Sequence, residues 1–188
     1  MSNANGKKSP DGAGVLLDDH SEVGGLIHGL LATLEGKEKA QIFARLDLLW
    51  ARLAVHIRAE HLCLFPSILG ALGKFSNHSS INAPSAVHVR EMVERLREDH
   101  DFFMVELAKA VNAARELVKG ENKPSADQLL EIKQRVLVVR DRLEEHNRLE
   151  EEQVYLWPEM LLSAEERAEL SARMRREIEN LPPRFSSS

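Results

Sequence analysis

The stretch His56-Ile-Arg-Ala-Glu60-His61-Leu-Cys-Leu-Phe65-Pro66 decides how the rest of the chain is read. A His and a Glu four residues apart lie one above the other on a single helix face. His56 and Glu60 can therefore reach one point, as the ligands of a metal ion must. Ninety residues on comes His146-Asn-Arg-Leu-Glu150-Glu151-Glu152, followed by Tyr155-Leu156-Trp157-Pro158. The ligand-like pair and its aromatic-Pro terminator both occur twice. One HxxxE is weak evidence, and two with matching tails are much stronger.

The chain has 188 residues, 43% hydrophobic and 29% charged, which suits one globular domain large enough to bury a core. Its 25 Lys+Arg against 30 Asp+Glu give a net charge of -5, without the basic patch that a nucleic-acid partner would require. No apolar run approaches the ~20 residues of a membrane span, and the first residues lack a signal peptide's apolar core. A cytoplasmic protein with no membrane partner is expected. The single cysteine, Cys63, excludes an internal disulfide and fits a reducing compartment. Any metal site must then be built from His and carboxylate.

Residues 1–14, rich in Gly, Asn, Ser and Lys, are expected to be disordered. A first helix is expected over 15–35, with Asp18 and Asp19 in its first turn, an inner stripe of His20, Val23, Ile27, Leu31 and Leu34, and Gly36 at its end. A second, over 37–69, carries Ile42, Leu46, Leu49, Leu53, His56, Glu60 and Cys63 on one stripe. Residues 73–84 read as a loop. A third helix over 85–119 aligns Val89, Val93, Leu96, His100, Phe103, Leu107 and Val111. A fourth, opened by Ser125 and Asp127 and running to Trp157, aligns Ile132, Val136, Val139, Leu143, His146, Glu150 and Val154. Ser163-Ala-Glu-Glu166 has the form of a capping box and opens a short amphipathic helix with Leu170, Met174 and Ile178 on one face. Strand signals are absent. The expected fold is all-α: an up-down-up-down four-helix bundle over 15–160, with a short C-terminal helix over 161–182 packed on it.

Helix rise tests whether the polar interruptions of these stripes can meet. Measured from the turns that neighbouring helices share, His20 and His56 lie ~24 and ~28 Å along, and His100 and His146 are matched as closely. His20, His56, Glu60, His100, His146 and Glu150 therefore fall in one layer. Each half of the chain offers two imidazoles and one carboxylate. Two carboxylates can bridge two metal ions while the imidazoles terminate them, a donor set that suits iron or manganese, with zinc as a further alternative. Without metal, several buried polar groups would be poorly paired, at roughly 1–3 kcal/mol each. Glu151, five residues after His146, is an alternative ligand to Glu150. His28, His61, His78 and His88 lie off the stripes and are read as surface or supporting residues, and Cys63 as a small core residue.

Four segments resemble those of the hemerythrin-like, HHE cation-binding family: Asp18-Asp-His20-Ser, His56-x-x-x-Glu60 with Leu64-Phe-Pro66, Glu98-Asp-His100, and His146-x-x-x-Glu150 with Leu156-Trp-Pro158. The resemblance covers about residues 15–160. It implies a four-helix bundle holding a non-haem, oxo- or hydroxo-bridged centre of two iron ions, with the six residues above as ligands. The oxygen-carrying members present a second histidine one turn from the first on the third helix, where this chain has Leu96 and Met104. A more open centre follows, suited to binding or sensing oxygen, nitric oxide, peroxide or iron. A small diatomic ligand or peroxide is the partner this implies. A di-iron enzyme for peroxide or nitric-oxide detoxification and a metal-stapled helical interaction module are the alternatives, and a homodimer is left open.

Overall fold

A computed structural model describes residues 13–36, 38–73 and 84–185. Among these residues all regular structure is helical. The expected disorder of 1–14 falls outside the described residues except at its end, where Gly14 already opens a helix. The loop expected over 73–84 likewise lies almost wholly outside them. The helices are α1 (Gly14–Gly36), α2 (Lys39–Ala59), α3 (Phe65–Leu72), α4 (Ala86–Lys119), α5 (Ala126–Glu152), α6 (Trp157–Leu161) and α7 (Ala164–Glu179). Of these, α2 packs on α1 and α4, α4 on α5, and α5 back on α1, while α7 lies mainly against α2. No helix among the described residues is long and apolar enough to cross a membrane.

The boundaries follow local chemistry. Ser85 caps α4 by accepting from the His88 N–H, which satisfies one of the amides that every helix start leaves unpaired. Ser125 with Gln128, and Ser163 with Glu166, form reciprocal capping boxes at α5 and α7. Asp18 and Asp19 do not serve as first-turn carboxylates, because α1 starts at Gly14 and puts them in its second turn. Asp19 is buried and engaged elsewhere. On α1 the inward leucine is Leu30, with Leu31 half-buried. The remaining stripes are buried as expected.

Two prolines shape the ends of the long helices. The second helical stretch does not run regularly to Leu69. Glu60–Leu64 widen into a π turn in which the Phe65 N–H reaches the Glu60 carbonyl. Pro66 lacks an N–H and its ring crowds the carbonyl four residues back, Leu62. That carbonyl instead accepts from Arg173 of α7 at 3.0 Å. The fourth stretch stops at Glu152, five residues short of the expected Trp157. Gln153 leaves the helical region at φ -131, ψ -67, a 3₁₀ turn covers Val154–Leu156, and α6 restarts with Pro158 in its first turn. Both breaks sit beside the polar layer. π turns of this kind are frequent at functional sites.

The apolar residues form two clusters. One is built around Leu34, Leu46, Phe103, Leu107 and Ile132, the other around Leu16, Phe65, Leu96, Trp157 and Met174. On α1 and α4 the His-bearing turn falls between residues of one cluster and residues of the other. Fully burying a Leu- or Phe-sized side chain contributes about 1.5–3 kcal/mol. The polar layer is thus clamped from both sides by packing that needs no help from it.

Candidate metal centre

All six residues expected to meet do so, and all are buried. Glu60 and Glu150 are 0% exposed, so neither carboxylate is solvated. Glu60, His100, His146 and Glu150 each bring a donor atom within 4.8 Å of the others, and so do His20, His56 and Glu150. Glu150 belongs to both groups. His146 Nε2 is 3.1 Å from Glu150 Oε1, His100 Nε2 is 3.2 Å from Glu60 Oε2, and His20 Nε2 is 3.3 Å from Glu150 Oε2.

The orientation of the imidazoles is the most informative feature. In all four, Nδ1 faces outward to a partner and Nε2 faces inward to the carboxylates. His56 Nδ1 is 2.8 Å from Asp19 Oδ2, His146 Nδ1 is 3.1 Å from Asp99 Oδ2, and His20 Nδ1 is 2.8 Å from Glu151 Oε1. His100 Nδ1 instead meets another imidazole, His61 Nε2, at 2.9 Å. A carboxylate on Nδ1 fixes the tautomer that leaves the Nε2 lone pair free, the usual arrangement behind a metal-bound histidine. The aspartates are anchored in turn, Asp19 by Arg52 and Asp99 by Arg142 at 2.6 Å.

The supporting position of His61 agrees with its reading from the sequence, whereas the roles of Asp19, Asp99, Arg52 and Arg142 were not read there, although they left a signal. Arg52, His56 and Glu60 recur ninety residues later as Arg142, His146 and Glu150, and Asp19 and Asp99 each directly precede an inward histidine. His61 and Glu151 are the same position in the two repeats, each following the inward Glu. Each supports the solitary histidine of the opposite half. His61 therefore has a supporting role beside His100. Glu151 stands behind His20, and Glu150 is the carboxylate inside. His28 and His88 are exposed, and His78 lies outside the described residues. Cys63 is a buried core thiol, which burial pushes up from its ordinary value.

Tyr155 was also missed as a site residue. The break after Glu152 turns it inward, so that its hydroxyl lies 2.8 Å from Glu60 Oε1, 3.0 Å from His20 Nε2 and 3.1 Å from Glu150 Oε2. Burial, then Glu150 and Glu60, raise its phenol well above the ordinary value, so it stays protonated and donates. Tyr155→Phe is expected to leave a buried carboxylate oxygen without its donor and to cost the metal-free protein about 1–3 kcal/mol in denaturant unfolding. An unchanged midpoint and slope would show that the hydroxyl is not needed there.

Electrostatics separate the two carboxyls. Burial, then the neighbouring Glu150, push Glu60 up to about 8. Burial would raise Glu150 too, but His146, with His20 and His100, outweighs it and holds Glu150 well below its ordinary value. Burial opposes charging His146, yet Glu150 and Asp99 raise it to about 10, while burial drives His100 down to about 3. Glu60 Oε2 and Glu150 Oε1 are buried and accept no hydrogen bond. His100 Nε2 and His146 Nε2 face each other at 3.0 Å. Inward lone pairs gathered this way need protons or a cation between them, and a divalent ion fits the donor set of imidazole and carboxylate.

The profile of the Hemerythrin HHE cation binding domain matches residues 11–157. The chain belongs to that family. Searches of curated proteins and of solved structures return no match. Membership in the HHE family and the buried His/Glu cluster together point to metal binding, typically of iron.

Proposed function

We propose that the protein is a cytoplasmic, non-haem di-iron protein of the hemerythrin type, an up-down-up-down four-helix bundle with α7 packed outside it. His20, His56, Glu60, His100, His146 and Glu150 would hold the two ions, Glu150 belonging to both donor groups. The reading is carried by one observation: four Nδ1 atoms turned outward to hydrogen-bond partners and four Nε2 atoms turned inward on two buried carboxylates. Iron would supply redox change and open coordination positions for a small ligand such as oxygen, nitric oxide or peroxide. The chain's own residues do the rest. Asp19, Asp99 and Glu151 hold three imidazole tautomers, Arg52 and Arg142 hold the aspartates, and Tyr155 donates to the carboxylates from inside. Val23, Leu53 and Leu143 line the interior gap and keep bulk water from it.

The enzyme alternative gains little support. Among the described residues Tyr155 is the acid added beside the six, and its raised value suits a hydrogen-bond donor, not a proton source. The docking-module alternative loses the apolar face of α7, because Leu170, Met174 and Ile178 are buried. The test is metal content per chain with the near-ultraviolet and visible spectrum, on wild type and on His100→Ala. Close to two irons, with charge-transfer absorption that the substitution abolishes, is expected. One zinc, or no metal and an unchanged fold in the variant, would sink the di-iron reading.

A further inference from the structure

A second cavity adjoins the donor cluster. The gap faced by the imidazoles is closed toward α5 by Leu143 and Asn147. A surface cavity of about 270 Å³ opens between α1 and α5 against Gly24, Ile27, His28 and Arg140, and it too is lined by Leu143 and Asn147. Those two side chains are therefore a wall common to the gap and the surface. Asn147 Oδ1 is buried and accepts no hydrogen bond, so no bond at that atom holds the amide in place.

Gly24 marks the outer end. It is exposed in the middle of α1, where glycine costs about 0.5–1 kcal/mol relative to alanine. A Cβ there would meet nothing within 4 Å, so no close approach of another helix explains the glycine. What its missing side chain does is leave the rim of the cavity open.

We propose that the opening between α1 and α5, with Gly24 at its mouth and Leu143 and Asn147 as its inner gate, is the route by which small solutes reach the donor cluster. Beyond the gate Val23 and Leu53 join Leu143 as an apolar, uncharged lining, and the imidazoles of His20, His56, His100 and His146 form the rest of the gap with Asn147. The route therefore suits small uncharged molecules of the class of dioxygen, nitric oxide and hydrogen peroxide. The inference deepens the reading of this cluster as a small-ligand site, but access to its imidazoles can be measured with no metal present.

Gly24→Leu and Gly24→Trp place a side chain at the mouth, where a Cβ meets nothing within 4 Å. Gly25→Trp is the control, since a Cβ there also meets nothing within 4 Å and Gly25 does not line the cavity. The probe is diethyl pyrocarbonate at low extent on the metal-free full chain, with carbethoxylation at each histidine resolved by mass spectrometry. Labelling of His20, His56 and His100 is expected to slow in Gly24→Leu and by about tenfold in Gly24→Trp, equal to about 1.4 kcal/mol on the barrier. Labelling of exposed His88 should not change, and Gly25→Trp should match wild type. In the iron-loaded protein, nitric oxide association should slow in the same order at constant metal content. Equal interior labelling in wild type and Gly24→Trp, or equal slowing by Gly25→Trp, would overturn the route. A chain that bound no iron would sink the di-iron reading and still give the labelling result.

Discussion

Glu150→Ala is expected to cost the protein both metal positions at once, while Glu151→Ala keeps both and only weakens them. Glu150 is the one residue common to the two donor groups, one with Glu60, His100 and His146 and the other with His20 and His56. Its side chain is fully buried, whereas that of Glu151 is 45% exposed. Glu151 holds the outer nitrogen of His20. Losing such a partner typically costs about 10–100-fold in metal affinity without removing a ligand. Elemental analysis after gel filtration should thus give near-zero metal for Glu150→Ala and near-normal content for Glu151→Ala. Competition with a chelator should then separate Glu151→Ala from wild type. The opposite ranking would move the shared position to Glu151 and undo the assignment of the inner carboxylate.

The pair of substitutions also shows where the sequence was legible. Periodicity identified the inward positions because a polar residue at an apolar register is conspicuous, and helix rise brought the six into one layer. The same method could not find Asp19 and Asp99. Each lies one residue before an inward histidine, about 100° around the helix, where a carboxylate reads as solvated surface. Tyr155 was hidden for another reason. It follows the break after Glu152, and a wheel drawn at constant pitch misplaces every residue beyond such a departure. The Pro66 and Pro158 tails were visible, but their consequence was not. A proline announces that a carbonyl must find another partner, here Arg173 for Leu62, without saying which side chains the altered turn brings inside. The unused part of the ninety-residue repeat was its arginine, Arg52 and Arg142 four residues before each histidine, which predicts matched outer support for both halves.

Metal-free protein should lose stability steeply between pH 6.5 and 8, and metal should abolish that loss. Glu60 titrates near 4.5 in the unfolded chain and at about 8 when folded. Between these values only the folded state holds the proton, so each unit of rising pH removes about 1.4 kcal/mol. His146 moves from 6.5 to about 10. Its contribution is complete below 6.5 and is lost as pH climbs toward 10. His100, at about 3 when folded, works the other way: stability rises with pH up to 6.5, and nothing changes above it. Above 6.5 the losses from Glu60 and His146 run together, and His20, also raised, adds to them in the same direction. A cation in the centre expels these protons, so its binding strengthens over the same interval and cancels the fall. Urea unfolding at several pH values, with and without metal, reads both curves. Glu60→Gln, which keeps the neutral form at every pH, should lower the metal-free slope. A metal-free curve flat from 6.5 to 8 would mean that the two carboxyls and His146 do not share protons inside the protein, and the electrostatic account of the centre would fall with it.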